Sequence, residues 1–195
     1  RRHTRYISVT GVQTCALPIC NPGTEYESTR HNIGAMVVEK IAASAGVKFT
    51  SHKTQSHIAE IKKGIGIDQP TFLLARPNSY MNDSGSAVAG LSQYFDIPAE
   101  RVIALHDELD IPFAAIRVKC GGGDNGHNGL KSITQSLGTN NYFRIRLGVG
   151  RPPGQQDPGD FVLKKFSRLE NKELELFLAR AEDAIDSLVT DRKST

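Results

Sequence analysis

Apolar residues recur at helical spacing at Ile33, Met36, Val37, Ile41 and Ala45, and Gly46 stops the run. The pattern predicts an amphipathic helix that begins just after Arg30, His31 and Asn32. Before it, Asn21-Pro22-Gly23 predicts a tight turn, because proline presets one central dihedral and glycine tolerates positive φ at the next. Residues 57–64 alternate as a half-buried strand does, and 71–77 read as a short buried strand closed by Pro77. Residues 83–95 predict a helix with Asp83 as its N-cap and Pro98 beyond its end. A buried strand over 102–105 runs directly into His106 and Asp107. A further strand is expected at 114–120, followed by the glycine-rich run 121–129, a helix over 130–138 and a strand over 142–150. Residues 151–160 are rich in proline and glycine and predict a surface loop. Behind Ser167 as a candidate cap, Leu174, Phe177, Leu178, Ala181, Ile185 and Leu188 mark a final helix.

Strands alternate with helices almost throughout, with no internal repeat and no linker between two cores. The expected architecture is therefore one α/β domain: a twisted, mostly parallel (mixed) sheet flanked by helices. In such sheets ligands bind beyond the carboxyl ends of the strands. Asn21, the His106-Asp107 pair and the glycine run all fall at such places.

The composition, 38% hydrophobic and 23% charged over 195 residues, is that of an ordinary globular domain. No apolar run approaches the roughly 20 residues that span a bilayer, so no membrane partner is expected. Three cysteines make no disulfide framework, and a reducing, cytoplasmic setting is the expectation. The net charge of +3 loses its meaning on inspection. Residues 1–20 hold Arg1, Arg2 and Arg5 and no acid, so the rest balances at 21 basic and 21 acidic residues. Nucleic-acid binding, if present, must come from a local patch.

Residues 1–20 read differently from the rest, without Lys, Asp, Glu or Phe and with Cys15, Pro18 and Cys20 close together. They lack the long apolar stretch and small-residue cleavage site of a signal peptide. They resemble a translated adaptor sequence joined to a gene start, and are expected to be a non-native segment preceding a domain over 21–195. Part of it, 16–20, can occupy a strand position, although Pro18 suits a central strand poorly.

Four stretches can carry chemistry. His31 at a helix start is a candidate general base, or else a capping histidine. Asp107 in "HDELD" can orient an imidazole, as the acid of a triad does, or belong to a solvated loop. "GGGDNGHNG" can bring backbone N–H groups and Asn128 to an anion, or be a flexible loop; no Lys-Ser or Lys-Thr follows as in a P-loop. In "PNSYMNDSG", Asn82 can cap a helix or donate to an oxyanion. Cys120 reads as an inert small residue. A metal site built from His31, His106, Asp107 and His127 is a separate alternative, although no pair of histidines has helical zinc-motif spacing.

Taken together, "NPGTEYESTRHNIG", "RPNSYMNDSG", "HDELDIP" with "GGGDNGHNGLKSI", and "FRIRLGVGRP" resemble the bacterial-type peptidyl-tRNA hydrolase family over about residues 21–190. The resemblance implies a cytoplasmic, monomeric, cofactor- and metal-free enzyme of translation. It would hydrolyse the ester between the peptide and the 3′-terminal ribose of peptidyl-tRNA. It implies His31 as the base that activates water, Asp107 as the group that holds its tautomer, and Asn21 as a contact to the peptide. Tyr26, Tyr80, Asn82 and Asn128 would line the site, and Lys119 and Arg146 would clamp a terminal phosphate of the tRNA. The family also includes non-catalytic RNA-binding relatives, which leaves a binding role as an alternative. One departure stands out: "TCALPIC" replaces the usual glycine-ended first strand, which could displace Asn21.

Overall fold

The structure, a computed structural model, describes residues 12–62 and 71–191. The first eleven residues of the unusual N-terminal segment, and the last two of the strand expected at 57–64, lie outside the described residues.

Seven strands make one sheet: β1 (Val12–Pro18), β2 (Thr50–His52), β3 (Ser56–Lys62), β4 (Thr71–Pro77), β5 (Val102–Glu108), β6 (Ile116–Cys120) and β7 (Phe143–Gly148). Their order is β2-β3-β4-β1-β5-β7-β6. The central pairings β4/β1, β1/β5 and β5/β7 are parallel. The edge pairings β2/β3, β3/β4 and β6/β7 are antiparallel. The sheet is thus mixed, with its parallel ladders in the middle. Helices α1 (Ile33–Ser44) and α5 (Glu170–Asp191) cover one face, and α2 (Ser84–Phe95) and α3 (Asn128–Leu137) the other. A five-residue helix, α4 (Pro158–Val162), precedes α5.

Residues of the central strands alternate between the two faces, as the pleat requires. Ala16, Ile103 and Leu105 join Val37, Ile41, Phe177 and Ile185 in one core. Cys15, Leu17, Val102 and Ala104 join Val88, Leu91, Leu130 and Ile133 in the other. Because both faces are covered, these strands read as continuous apolar runs.

Residues 12–20 therefore supply the middle strand of the sheet and its exit. Pro18 is accommodated because it is the last residue of β1. The ladder to β4 ends at Ala16, Pro18 stands level with Leu105, and Ile19 N–H resumes bonding to the Leu105 carbonyl at 2.8 Å. Burial pushes the thiols of Cys15 and Cys20 up to about 12, which leaves both protonated and inert.

Four local expectations are corrected. The strand expected at 102–105 continues as β5 through His106, Asp107 and Glu108, all buried, so "HDE" is not a solvated loop. Asp83 occupies the cap position of α2 without a side-chain cap bond; Ser86 Oγ donates to its carbonyl instead. The expected loop at 151–160 contains the start of α4, whose Asp157 caps the N–H of Asp160 at 3.0 Å. The short edge strand β2 was not expected at all. Ser167 behaves as expected: its Oγ accepts from Glu170 N–H while the Glu170 carboxylate accepts from Ser167 N–H, a reciprocal capping box.

Gly34 sets how closely α1 lies on the sheet. A Cβ there would stand 2.8 Å from the Leu105 carbonyl oxygen, so only glycine lets the start of α1 rest against the end of β5. This contact brings the turn before α1 level with Asp107.

Candidate active site

Asp107 leaves β5 on the same face as Leu105, toward α1, whereas His106 leaves on the face of Ala104, toward α3. His31 occupies the turn before α1 and meets Asp107: Nδ1 lies 2.9 Å from Oδ1, and both residues are buried, at 4% and 6% exposure. A carboxylate only accepts, so His31 Nδ1 carries the hydrogen and Nε2 is left as a lone-pair acceptor. That Nε2 is buried and makes no hydrogen bond among the described residues.

A second imidazole shares the carboxylate. His127, at the N-cap of α3, places Nε2 3.4 Å from the same Oδ1. Its ring stacks on that of His31 with centroids 6.0 Å apart. Burial alone would raise the Asp107 carboxyl, but hydrogen bonds from His127 and His31, and the charge those rings carry when protonated, bring it well below the usual carboxylate range. These hydrogen bonds therefore favour the ionised carboxylate. His31, Asp107 and His127 offer one ligand atom each within 4.8 Å of one another, a donor set a divalent metal could use.

Asn21 is fixed by two neighbours. Its N–H donates to Asn32 Oδ1 at 3.0 Å, its carbonyl accepts from Asn32 Nδ2 at 2.9 Å, and its Oδ1 accepts from Met81 N–H at 3.1 Å. Strand β1, with its Cys15 and Pro18, leads through Cys20 directly into this anchorage. The Asn21 Nδ2 amide is the part without a partner among the described residues, and so the part free to meet a ligand. Met81 also approaches α3: a Cβ on Gly129 would meet Ile19 at 2.2 Å, Met81 at 3.1 Å and His127 at 3.3 Å. This glycine allows the start of α3, with His127 and Asn128, to close onto the Asn21–Met81 side.

Asn82 and Asn128 are exposed, and neither side chain makes a hydrogen bond among the described residues. Tyr80 stands 61% exposed beside them. Tyr26 acts through its main chain: its carbonyl accepts from Thr29 N–H and Oγ1–H, bracing the turn below His31. Its ring is half-buried and makes no side-chain hydrogen bond among the described residues.

Lys119 and Arg146 lie on the antiparallel pair β6/β7, opposite Arg144 and Arg117 respectively, and line one small cavity with His106, Glu108 and Arg144. Arg146 is not free: its Nε and Nη2 both donate to Glu108 Oε2, at 3.0 and 2.8 Å. Lys119 is exposed and unpaired among the described residues. Arg144, 2% exposed, donates to the carbonyls of Gly122 and Gly123 and pins the glycine run.

His106 touches the cluster through His127, the two rings standing edge-on with centroids 5.0 Å apart. The His106 Nδ1–H donates to the Asp107 carbonyl at 2.7 Å, and its Nε2 is buried without a hydrogen-bond partner among the described residues. Burial, reinforced by His127 and opposed by Asp107, lowers it from an ordinary 6.5 to about 4. The unfolded chain thus binds a proton here that the folded one refuses. The stability tied to this residue is complete above pH 6.5 and lost as pH falls toward 4. The loss is about 3 kcal/mol at the low end. Urea unfolding of His106→Gln should therefore show a flatter pH dependence than the parent across that window; parallel curves would contradict this account.

The site assigned from sequence omitted His127, Asn32, Glu108 and Arg144. His127 was visible as a helix-start histidine. Nothing local marks the partner of Asn32 or Arg144, which are joined to theirs only by folding.

Known proteins resemble this chain in both sequence and fold. The profile of the Peptidyl-tRNA hydrolase family matches residues 16–195. Among curated relatives, the peptidyl-tRNA hydrolase of Kineococcus radiotolerans is 51% identical over 172 residues, covering 87% of each chain. That of Rhodococcus opacus is 52% identical over 166 residues, covering 85% of this chain and 86% of the relative. The crystal structure of peptidyl-tRNA hydrolase from Acinetobacter baumannii is similar with a TM-score of 0.81 at 31% identity, covering 95% of this chain and 92% of that one. A complex of peptidyl-tRNA hydrolase with N-propanol gives 0.82 at 31% identity, covering 94% and 91%.

Proposed function

The chain belongs to the peptidyl-tRNA hydrolase family, and we propose that it cleaves the ester between the peptide carboxyl and the 3′-terminal ribose of peptidyl-tRNA by attack of a water deprotonated by His31. The observation that carries this reading is the buried 2.9 Å contact of His31 Nδ1 with Asp107, which leaves Nε2 as a bare acceptor.

In the proposed step the water oxygen bonds to the carbonyl carbon while its proton passes to His31 Nε2. Asp107 stabilises the imidazolium that forms. The tetrahedral intermediate then expels the ribose oxygen, which takes the proton back. The products are a peptide carboxylic acid, which releases its proton to solvent and leaves as the carboxylate, and tRNA with a free 3′-terminal hydroxyl; no step passes through a metal or a covalent enzyme intermediate. The unpaired amides of Asn82 and Asn128 are the donors for the developing oxyanion, each worth about 3 kcal/mol when well placed. Asn21 meets the peptide through Nδ2, and Tyr26 and Tyr80 line the approach. Lys119 and Arg146 hold a terminal phosphate; since Glu108 already engages Arg146, Lys119 carries most of the long-range attraction. The same reading makes the protein a cytoplasmic monomer of the translation apparatus.

The test is release of tRNA from an N-acetylaminoacyl-tRNA by protein pretreated with a strong chelator. Multiple turnover is expected, with the free-amino aminoacyl-tRNA hydrolysed far more slowly. Tight tRNA binding without release would instead make the chain an RNA-binding relative. Activity lost to the chelator and restored by zinc would return the His31–Asp107–His127 cluster to metal chemistry.

A further inference from the structure

His31 stands between two supports. One is the central strand β5, through Asp107. The other is the segment between Phe161 and Glu170, more than 130 residues away in sequence, and the link to it is the residue just before the histidine. Arg30 is 6% exposed, and its guanidinium reaches that segment through Nη1 and Nη2, while Nε is buried without a hydrogen-bond partner among the described residues. Nη1 donates to the carbonyls of Lys165 at 2.7 Å and Lys164 at 3.3 Å, and Nη2 donates to Glu170 Oε2 at 2.7 Å. The planar group lies over Phe161 at 4.3 Å and faces Phe166 at 5.4 Å. The backbone runs parallel to this grip: Thr29 bridges Lys165, Arg30 N–H donates to the Lys164 carbonyl and His31 N–H to the Val162 carbonyl.

We propose that Arg30 is the positioning residue of the catalytic imidazole, locking the turn that carries His31 onto the α4–α5 junction and so holding Nδ1 against Asp107. The proposal rests on the reading of His31 as the base. Its physical logic is one of tolerance. The His31–Asp107 contact joins a turn to a strand, and the strand end is already fixed by its ladders to β1 and β7. All remaining freedom belongs to the turn. Backbone bonds to Val162 and Lys164 hold the turn only as firmly as that short junction is itself held, and the Arg30 fork is what joins the two. Its carboxylate partner, Glu170, also accepts from Ser167 N–H in the capping box of α5, so the grip extends to the head of the longest helix described. A displacement of about 1 Å at a catalytic group costs on the order of 10²-fold in rate, and a guanidinium spanning two carbonyls, a carboxylate and an aromatic face suppresses a slip of that size. Lysine cannot span them, because it is a point charge without the planar fork.

The experiment compares the parent with Arg30→Lys and Arg30→Met on N-acetylaminoacyl-tRNA, well below each protein's melting temperature. The deshielded Nδ1–H proton of His31 is read in parallel by NMR, assigned by its loss in His31→Ala. The expected order of kcat is parent, then Lys several-fold lower, then Met lower by about 10- to 100-fold, with KM within about twofold throughout. The Nδ1–H signal should weaken in the same order. A purely structural role would lower the melting temperature and leave both kcat and the signal of the folded protein unchanged, and that result overturns the proposal. If Arg30→Met does not fold, Arg30→Lys decides alone, since it keeps the charge and the stem; parent-like kcat and signal there overturn it equally. The signal reports on the contact whether or not His31 is the base. Full turnover in His31→Ala would therefore sink the catalytic reading without touching the Arg30 effect on the resonance, and an unaltered resonance would sink the Arg30 proposal alone.

Discussion

His31→Ala is expected to lower kcat on N-acetylaminoacyl-tRNA by about 10³-fold, within the range that a positioned general base contributes, while the dissociation constant for tRNA stays within about twofold. The asymmetry follows from where the side chain sits. His31 is 4% exposed and bonded to Asp107, so it offers almost no surface to a tRNA, and its removal acts on the barrier. A factor of 10³ corresponds to about 4 kcal/mol. Single-turnover rates at saturating enzyme, together with filter binding, separate the two quantities. Folding must be followed alongside, because alanine leaves Asp107 with His127 as its one remaining side-chain hydrogen-bond partner among the described residues.

Asp107→Asn should be nearly as damaging, by about 10²- to 10³-fold, since it acts through the same imidazole, as the corresponding change does in a serine-protease triad. The cause differs from that in His31→Ala. The carboxylate accepts from His31 Nδ1–H and so leaves Nε2 bare. An asparagine amide can donate to Nδ1, which moves the ring hydrogen to Nε2, and the imidazole can then no longer take a proton from water. The substitution also removes the charge that stabilises the imidazolium. Because hydrogen bonds from His127 and His31 outweigh burial and keep Asp107 well below the usual carboxylate range, the parent should show no loss of activity from Asp107 protonation at mildly acidic pH. Single-turnover rates of the two proteins between pH 5 and 8 check both statements; a parent-like rate for the variant would contradict them.

Much of the architecture was legible because it rests on local pattern. The apolar run of β5, the helical spacing from Ile33 to Ala45 and the Asn-Pro-Gly turn are signals carried by neighbouring residues. The join of His31 to Asp107 was legible only through resemblance, since 76 residues separate them and no periodicity connects them. What stayed hidden has physical causes. β2 is three residues long with no buried position, so it has no alternation to detect and exists because β3 offers it an edge. α4 begins in a stretch whose prolines and glycines argue for loop, although Asp157 before Pro158 was a genuine start signal. Pro18 looked misplaced because strand propensity does not say where a ladder ends. The charged tail of β5 looked like loop because ionisable residues are rarely buried; Asp107 and Glu108 are buried there because His31, His127 and Arg146 engage them. Arg30 and Asn32, flanking the histidine, have partners elsewhere in the chain that only the folded molecule reveals.

One measurement tests most directly whether His31 and Asp107 act as one unit on a water molecule: the single-turnover rates of His31→Ala, Asp107→Asn and the double variant, set against the parent. If the carboxylate works only through the imidazole, the double variant will be no slower than His31→Ala alone. If the two losses multiply, Asp107 has a role independent of His31, and the mechanism given for this site is wrong.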